Sequence, residues 1–425
     1  MRKIKNILIL AGGDGDRFWP LENKVLFNFL GDPFIIHLIR QLKEYAEKIH
    51  IVSHSSNAST IKRLIDNYHL SVNTDVTIQK SDIPGQAGAI ETMKNFISGE
   101  VLILNANDKI DFSILKNITQ LPFKNNQIIL FGKKVNEYFP GGYFKFNNAN
   151  QLEEVIEKPK KEAVPSNVIK LVLDYFSDFK ILTNIISTVK TLNDDIYEQA
   201  INKILKENNV NKDYFVYDGE FISLKYPWHV LKMMKSYLRE LNKRYISKSA
   251  KISKKSKIIG DVFISDNVVI GDYVKILGPV FIGENSIIGD YSLVRESHIG
   301  EDCLIGSYSE IARSYIANKV FLHRNYVGDS VLDNEVMMGA QAVTANLRFD
   351  GETIKSNIYE NKVDTNFYKL GAIIGRESKI GVNTTIFPGV KIGKKTWVGP
   401  GESVRYDLED KTYLIFGEEK NNLKV

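Results

Sequence analysis

Eight aliphatic residues, Ile252, Ile258, Ile264, Ile270, Ile276, Ile282, Ile288 and Val294, stand six residues apart on one unbroken register. Neither a helix, with its period of 3.6, nor a flat strand, with its period of 2, repeats this way. A solenoid of triangular coils does, because each six-residue segment makes one flat side and turns its aliphatic residue inward. Glycine follows several of these residues, as in Ile270-Gly271, Ile282-Gly283 and Ile288-Gly289. The register then slips and continues through Ile299, Ile305 and Ile311, and returns as Ile374, Ile380, Ile386, Ile392, Val398 and Val404. An ordinary β-sandwich is the alternative, and chance would not place eight aliphatic residues in a row on one register.

Upstream of residue 250 the pattern is different. NILIL (6–10), KIHIVSH (48–54), VTIQK (76–80), EVLILNA (100–106) and QIILFG (127–132) read as strands. Between them, 34–46, 57–69 and 84–97 carry apolar residues at the three- and four-residue spacing of amphipathic helices. Strand–helix alternation predicts right-handed βαβ units, a largely parallel sheet with helices on both faces, and ligands beyond the carboxyl ends of its strands. A chain of 425 residues exceeds one typical domain. The expected division is 1–227 for the α/β domain, 228–248 for a connector, 249–408 for the solenoid and 409–425 for a tail packed on its end. The connector is read as one amphipathic helix over 228–246.

Other classes are excluded by composition. A single cysteine, Cys303, rules out an internal disulfide framework and a cysteine-rich zinc site. No apolar run approaches 18 residues, so no membrane span is expected. The start, MRKIKNILIL, is too short an apolar run for a signal peptide and reads as a buried strand, which makes the cytoplasm the expected compartment. The net charge of +5 is local: residues 232–257 hold ten Lys or Arg against Glu240 alone, leaving −4 on the rest of the chain. The excess belongs to the connector helix and first coil, not to a groove with interleaved aromatics, so nucleic-acid binding is not expected.

The first strand runs into Leu10-Ala11-Gly12-Gly13-Asp14-Gly15-Asp16-Arg17, with Lys24 seven residues later. Glycines directly after a strand let backbone N–H groups approach phosphate oxygens. Arg17 adds a planar multi-donor cation and Lys24 a point charge. A tight turn with surface basic residues would look the same. The stretch LAGGDGDRFWPLENK, however, resembles the signature of the nucleoside-diphosphate-sugar pyrophosphorylases, the sugar-1-phosphate nucleotidyltransferases, and the resemblance extends over most of residues 1–230. The Arg-to-Lys interval is similar to that of the N-acetylglucosamine-1-phosphate uridylyltransferases. The resemblance implies a Rossmann-like α/β nucleotidyltransferase domain that joins an NTP to a sugar 1-phosphate. Ala11, Gly12, Gly13, Gly15 and Arg17 would hold the triphosphate, and Lys24 would lie near the reacting phosphorus.

Further members follow in family order. Gln79 and Gly85, within Pro84-Gly85-Gln86-Ala87, would read the base, although the family's Gly-Thr-Ala is Gly-Gln-Ala here. Asp108 would be the Mg²⁺ ligand; the alternative is an N-cap for a helix over 111–118. Gly142 and Glu157 would hold sugar hydroxyls, and Lys158 the sugar phosphate. Two departures stand out. The family's second metal-binding Asp falls near Ser223, with Asp218 five residues earlier, and its Asn-Ala-Gly falls in NVIKL, with Asn167 as a candidate substitute. No protein nucleophile is needed, because the sugar phosphate itself attacks the α-phosphorus and the cations offset the repulsion.

The segment FLHRNYVGDSVLDNEVMMGAQAVTANLRFDGETI (321–354) resembles the left-handed parallel β-helix of bifunctional sugar-1-phosphate nucleotidyltransferase/acetyltransferases, built of hexapeptide repeats. By this resemblance His323 would be a general base for amino-sugar acetylation by acetyl-CoA, with Tyr326 and Asn346 in its pocket. Lys391, Lys394 and Lys395 would meet CoA phosphates or lie on a solvated turn. Met337 stands where the family has Asn, Ala340-Gln341-Ala342 replaces Ala-Gly-Thr, and Ala312-Arg313 replaces a lysine. Two competing readings are a catalytically quiet regulatory or scaffold subunit and an acetyltransferase whose first half only binds substrate. Solenoids of this kind pack their flat faces as homotrimers, which is the expected assembly. His37, His50, His54, His69, His229 and His298 lack metal-ligand spacing and read as core or surface residues. Trp19 is expected to pack the loop or, less simply, to stack a base.

Overall fold

The computed structural model describes residues 2–13, 15–80, 83, 85–120, 124–191 and 195–421. Asp14 and Pro84, both in the motifs quoted above, lie outside the described residues. The chain forms two compact units: the first holds Met1–Asp14 and Phe34–Ile222, the second Gly15–Pro33 and Ser223–Val425. This division departs from the expected 1–227 domain, because the segment carrying Arg17 and Lys24 belongs with the solenoid.

The first unit is built on a ten-stranded mixed sheet. Its parallel part has Ile4–Ala11 at the centre, flanked by Val101–Asn105 on one side and by Ala46–Ser53 and then Thr74–Ile78 on the other. The helices Phe34–Leu42, Ser55–Asn67 and Gly85–Met93 make the crossovers, close to the predicted positions. Beyond Val101–Asn105 the pairing with Leu173–Phe176 is antiparallel, and so are the pairings among Gln127–Lys134, Gly142–Phe146, Leu152–Glu157 and Val168–Lys170. The sheet is therefore less parallel than expected. The reason lies in the connections: residues 147–151 alone separate Gly142–Phe146 from Leu152–Glu157, far too few for a crossover, so those two strands pair as an antiparallel hairpin.

The second unit is a left-handed β-helix of three stacked sheets with 8, 10 and 8 strands. Pairing advances by 18 residues at first, as Lys251↔Val269↔Ile287, then by 17, as Ile287↔Leu304↔Phe321, and by 16, as Phe321↔Met337. An 18-residue coil is three six-residue sides, so the slip seen in the sequence is a coil that loses one and then two turn residues. Between Thr344 and Ile373 the chain leaves the stack as a hairpin, Ile354–Ile358 with Asn361–Phe367, before resuming. The inward residues from Ile264 to Val404 form one continuous aliphatic core, while Ile252 and Ile258 at the open first coil are only partly buried. The following glycines are there for space: a Cβ on Gly283 would stand 2.6 Å from the carbonyl carbon of Gly300 in the next coil.

Two terminal details differ from expectation. The connector helix is His229–Arg239, and Tyr245–Ile246 already pairs with Phe263–Ile264 as the first solenoid strand. Tyr245 gains both the ladder hydrogen bonds and a ring stack on Phe263 at 4.6 Å, which a longer helix would forfeit. The tail is more ordered than a packed extension: Thr412–Ile415 adds a parallel strand to Trp397–Val398, and Glu418–Asn421 folds back on it antiparallel. Among the described residues no helix is long and apolar enough to cross a membrane.

Candidate functional site

In the first unit the residues singled out by sequence converge at the carboxyl ends of the parallel strands. Ala11 ends the central strand beside Ser53, and the Ser53 carbonyl accepts the Gln79 N–H at 3.0 Å. Gln79 turns back over the loop so that a Cβ on Gly12 would stand 2.2 Å from its Oε1. Its Nε2 donates to the Gly85 carbonyl at 3.4 Å, at the start of the helix Gly85–Met93. Gly12, Gln79 and Gly85 are thus one constellation. Gln79 Oε1 is buried and has no hydrogen-bond partner among the described residues, as suits a group kept for a ligand.

Asp108 follows the Val101–Asn105 strand, is 4% exposed, and takes a hydrogen bond on Oδ2 from Asn105 Nδ2 at 3.4 Å. The helix Ile114–Gln120 is preceded instead by Asp111, whose side chain accepts from the Ser113 N–H at 2.9 Å. The N-cap reading of Asp108 therefore falls away. Gln86, which replaces the family's Thr, donates to Asn105 Oδ1 at 3.5 Å. Gln86 and the Asp108 carboxylate are joined through the Asn105 side chain.

Among the residues expected to meet the sugar, Gly142 pairs with Glu157 across two antiparallel strands. A Cβ on Gly142 would stand 3.1 Å from Glu157 Oε2, so only glycine leaves this edge open. Lys158 Nζ is 3.2 Å from Glu157 Oε1, and its side chain is half exposed. Beneath them lies a cluster that sequence reasoning missed. Lys170, from the NVIKL stretch, is buried and holds buried Asp174 at 2.5 Å, and the Tyr197 hydroxyl donates to the same oxygen at 2.5 Å. Burial pushes the Asp174 carboxyl up while the Lys170 ammonium pulls it back. Glu198 is pushed up to about 7 by burial and by neighbouring Glu157. The signal in the sequence was a Lys and an Asp four apart inside an otherwise apolar strand pair, IKLVLDYF. Asn167 does not substitute through its backbone carbonyl, which accepts the Val135 N–H at 2.9 Å.

In the second unit, Gly15 adopts a left-handed φ of 81° and caps the turn Asp16–Phe18, leaving Arg17 exposed. Asn23, φ 52°, caps the turn Lys24–Leu26, and Lys24 Nζ lies 5.6 Å from the Phe18 ring centroid. Ser223 is buried, and its carbonyl accepts from His229 Nδ1 at 2.7 Å. Burial holds that imidazole down at about 3, so it stays neutral. Asp218, in the first unit, is exposed and uses its carbonyl for Lys133 Nζ at 3.0 Å. Among the described residues no group of three or more His, Cys, Asp or Glu is placed to hold a metal.

On the solenoid, Asn346 Nδ2 donates to the Tyr326 hydroxyl at 3.2 Å and to Asp329, which is also clamped by Arg313 through two bonds of 2.7 Å. Tyr326 and Asn346 are therefore brought together, and Gly328 between them admits no Cβ. His323 is exposed in the turn after Phe321–Leu322, its backbone N–H on the Met338 carbonyl at 3.2 Å. The three lysines considered for CoA phosphates are engaged otherwise: Lys391 with Asp407, Lys394 with Glu22 and Asp410, Lys395 with Glu377. Cys303 is buried with its thiol pushed up to about 12, which makes it inert.

A family profile described as nucleotidyl transferase matches residues 6–229, and one described as the GMPPB C-terminal domain matches residues 241–364. The first match spans more than half of the chain. The chain belongs to the nucleotidyl transferase family. The bifunctional protein GlmU of Methanococcus aeolicus is 31% identical over 426 residues, covering 97% of each chain. A bifunctional sugar-1-phosphate nucleotidylyltransferase/acetyltransferase of Sulfurisphaera tokodaii is 32% identical over 408 residues, covering 94% of this chain and 97% of that one. A structure of apo-UDP-glucose pyrophosphorylase is 19% identical with a TM-score of 0.48, covering 56% of this chain and 99% of that one. Within this nucleotidyl transferase, Gln86, Lys170 and Ser223 mark where the chain departs from the family's motifs, and each of them is buried or hydrogen-bonded into a defined place.

Proposed function

We propose that the protein is an enzyme that transfers a nucleotidyl group from an NTP to a sugar 1-phosphate and releases pyrophosphate. The observation that carries this reading is the constellation of Gly12, Gln79, Gly85 and Asp108 at the carboxyl ends of the parallel strands. The unoccupied Gln79 Oε1 suits a base N–H, and the open edge at Gly142 with Glu157 suits sugar hydroxyls. A sugar-phosphate oxygen forms a bond to the α-phosphorus as the α–β bridging bond breaks, and pyrophosphate leaves with the electron pair. Arg17, Lys24 and Lys158 offset the charge of the two anions and orient them. Mg²⁺ takes few protein ligands and completes its shell with phosphate and water oxygens, so one buried carboxylate, Asp108, fits it. When bound, it would supply Lewis-acid charge neutralisation. With Mg²⁺, a panel of NTPs and a panel of sugar 1-phosphates, the wild-type chain is expected to release pyrophosphate. Asp108→Asn should lower kcat by about 10³-fold; an Asn variant of wild-type rate would overturn the assignment.

A second activity, acetyl transfer from acetyl-CoA to an amino sugar with His323 as general base, is favoured by the Tyr326–Asn346–Asp329 cluster. Thiol release from acetyl-CoA should be lost in His323→Ala, and unchanged release would remove His323 from that role. Assembly as a homotrimer is supported by one outer face of the solenoid. There Ile287, Phe321 and Met337 lie in the same sheet and are 43%, 38% and 42% exposed, an apolar stripe that a second copy would cover.

A further inference from the structure

The segment Gly15–Pro33 is held by the connector helix and the solenoid at two levels. The lower one is apolar and aromatic: Phe27 packs on Tyr315 with centroids 4.8 Å apart, Phe29 stacks on Tyr237 at 5.1 Å, and the Tyr315 hydroxyl donates to the Asn28 carbonyl at 2.6 Å. The upper level is polar. Trp19 Nε1 donates to Asp410 Oδ1 at 2.9 Å, with Lys391 Nζ 4.5 Å over its ring. The Glu22 carboxylate meets Lys394 through one oxygen and Arg376, at 3.3 Å, through the other. Lys394 also reaches Asp410 at 3.4 Å, which closes a circuit from Trp19 to Glu22.

The two levels differ in what they can contribute. Phe27 and Phe29 are buried and give the segment its apolar hold. Glu22 and Lys394 are about a third exposed, and ion pairs of that kind add little stability. What they do fix is direction. Trp19 lies two residues after Arg17, and Glu22 two residues before Lys24, so the polar clasp grips the chain between the two cations. A solvated, unclasped turn at 19–22 would let both side chains sample many orientations.

We propose that the last coils of the solenoid are a working part of nucleotidyl transfer, with Arg376, Lys394 and Asp410 as positioning residues that grip Trp19 and Glu22 and so fix Arg17 and Lys24 for the triphosphate. The inference rests on the proposed activity. It also gives the solenoid a role in the first reaction, whatever its own pocket does. The residues of the clasp come from three separated stretches, 19–22, 376 and 394–410.

The test uses the full-length chain and pyrophosphate release, with NTP and sugar 1-phosphate titrated separately. Lys394→Ala should raise KM for the NTP about tenfold, leave KM for the sugar phosphate within about twofold, and keep the wild-type melting temperature. Lys394→Arg, which preserves the charge, should restore the wild-type KM. Hydrogen exchange of the peptide covering residues 15–33 should slow on NTP addition in the wild type and less so in Lys394→Ala. An active wild type with an unchanged KM in Lys394→Ala overturns this inference alone. A variant that melts lower and loses both substrates together has a structural role only, and also overturns it. A wild type that releases no pyrophosphate overturns the functional reading, and this inference with it.

Discussion

The two units bury polar groups in opposite ways. In the first, a full ion pair is enclosed: Lys170 and Asp174 show almost no surface, and Tyr197 adds a second bond to the same carboxylate oxygen. In the second, the interior is aliphatic from Ile264 to Val404, and most of the buried polar side chains are serine and threonine hydroxyls, several of which bond the backbone of the next coil. Ser286 Oγ, for example, donates to the Gly300 carbonyl at 2.7 Å and accepts the Cys303 N–H at 2.9 Å. A sheet with helices against it gathers long side chains from several elements at one point. A coil three short sides wide has no room for that, so its chemistry must sit outside, in turns such as that of His323 and where the stack is interrupted, as at Asn346.

The sharpest way to break this contrast is Lys170→Met. It strands the Asp174 carboxyl in a dry interior and should destabilise the first unit by about 3–5 kcal/mol, read as a lower denaturation midpoint. Replacing both partners, as Lys170→Met with Asp174→Leu, should recover most of that loss. A single variant that unfolds like the wild type would mean that the pair is not a buried charge at all.

A smaller effect is expected in the solenoid, where His298 is stacked between Phe281 at 4.8 Å and Tyr315 at 4.6 Å. Burial holds its imidazole down at about 4 against an ordinary value of 6.5. Below about pH 6.5 the unfolded chain takes up a proton that the folded chain refuses until about pH 4. Stability from this group is therefore complete above that window and falls as the pH drops through it. At pH 5 the cost is about 2 kcal/mol, and His298→Phe should be spared it. The melting temperature of the variant relative to wild type should rise between pH 7 and pH 5. A constant difference would show that the folded ring takes up its proton as readily as the unfolded chain does.

Much of this was legible in residue order. The six-residue period predicted the solenoid because an inward aliphatic position repeats with every side, whatever the rest of the coil does. The glycine loop, Asp108, and Gly142 with Glu157 were legible because each sits at a strand end in a recognisable string. The Lys170–Asp174 pair was harder, since a charged residue in a strand usually faces water, and only Tyr197 from a distant helix makes the burial tolerable. The Gln86–Asn105–Asp108 link was invisible, because it crosses from a helix to a strand end through side chains 19 and 3 residues apart.

Local pattern thus fixed the two architectures and most of the candidate chemistry, because periodicity and backbone demand are properties of neighbouring residues. Tertiary structure decided to which unit the segment Gly15–Pro33 belongs. Of its apolar residues Phe18, Leu21, Val25, Phe27 and Phe29, the last three alternate as in a strand, but alternation names no surface to bury them. That surface is assembled from Tyr237, Tyr315 and charged residues as far along as Asp410, which only the folded chain brings within reach.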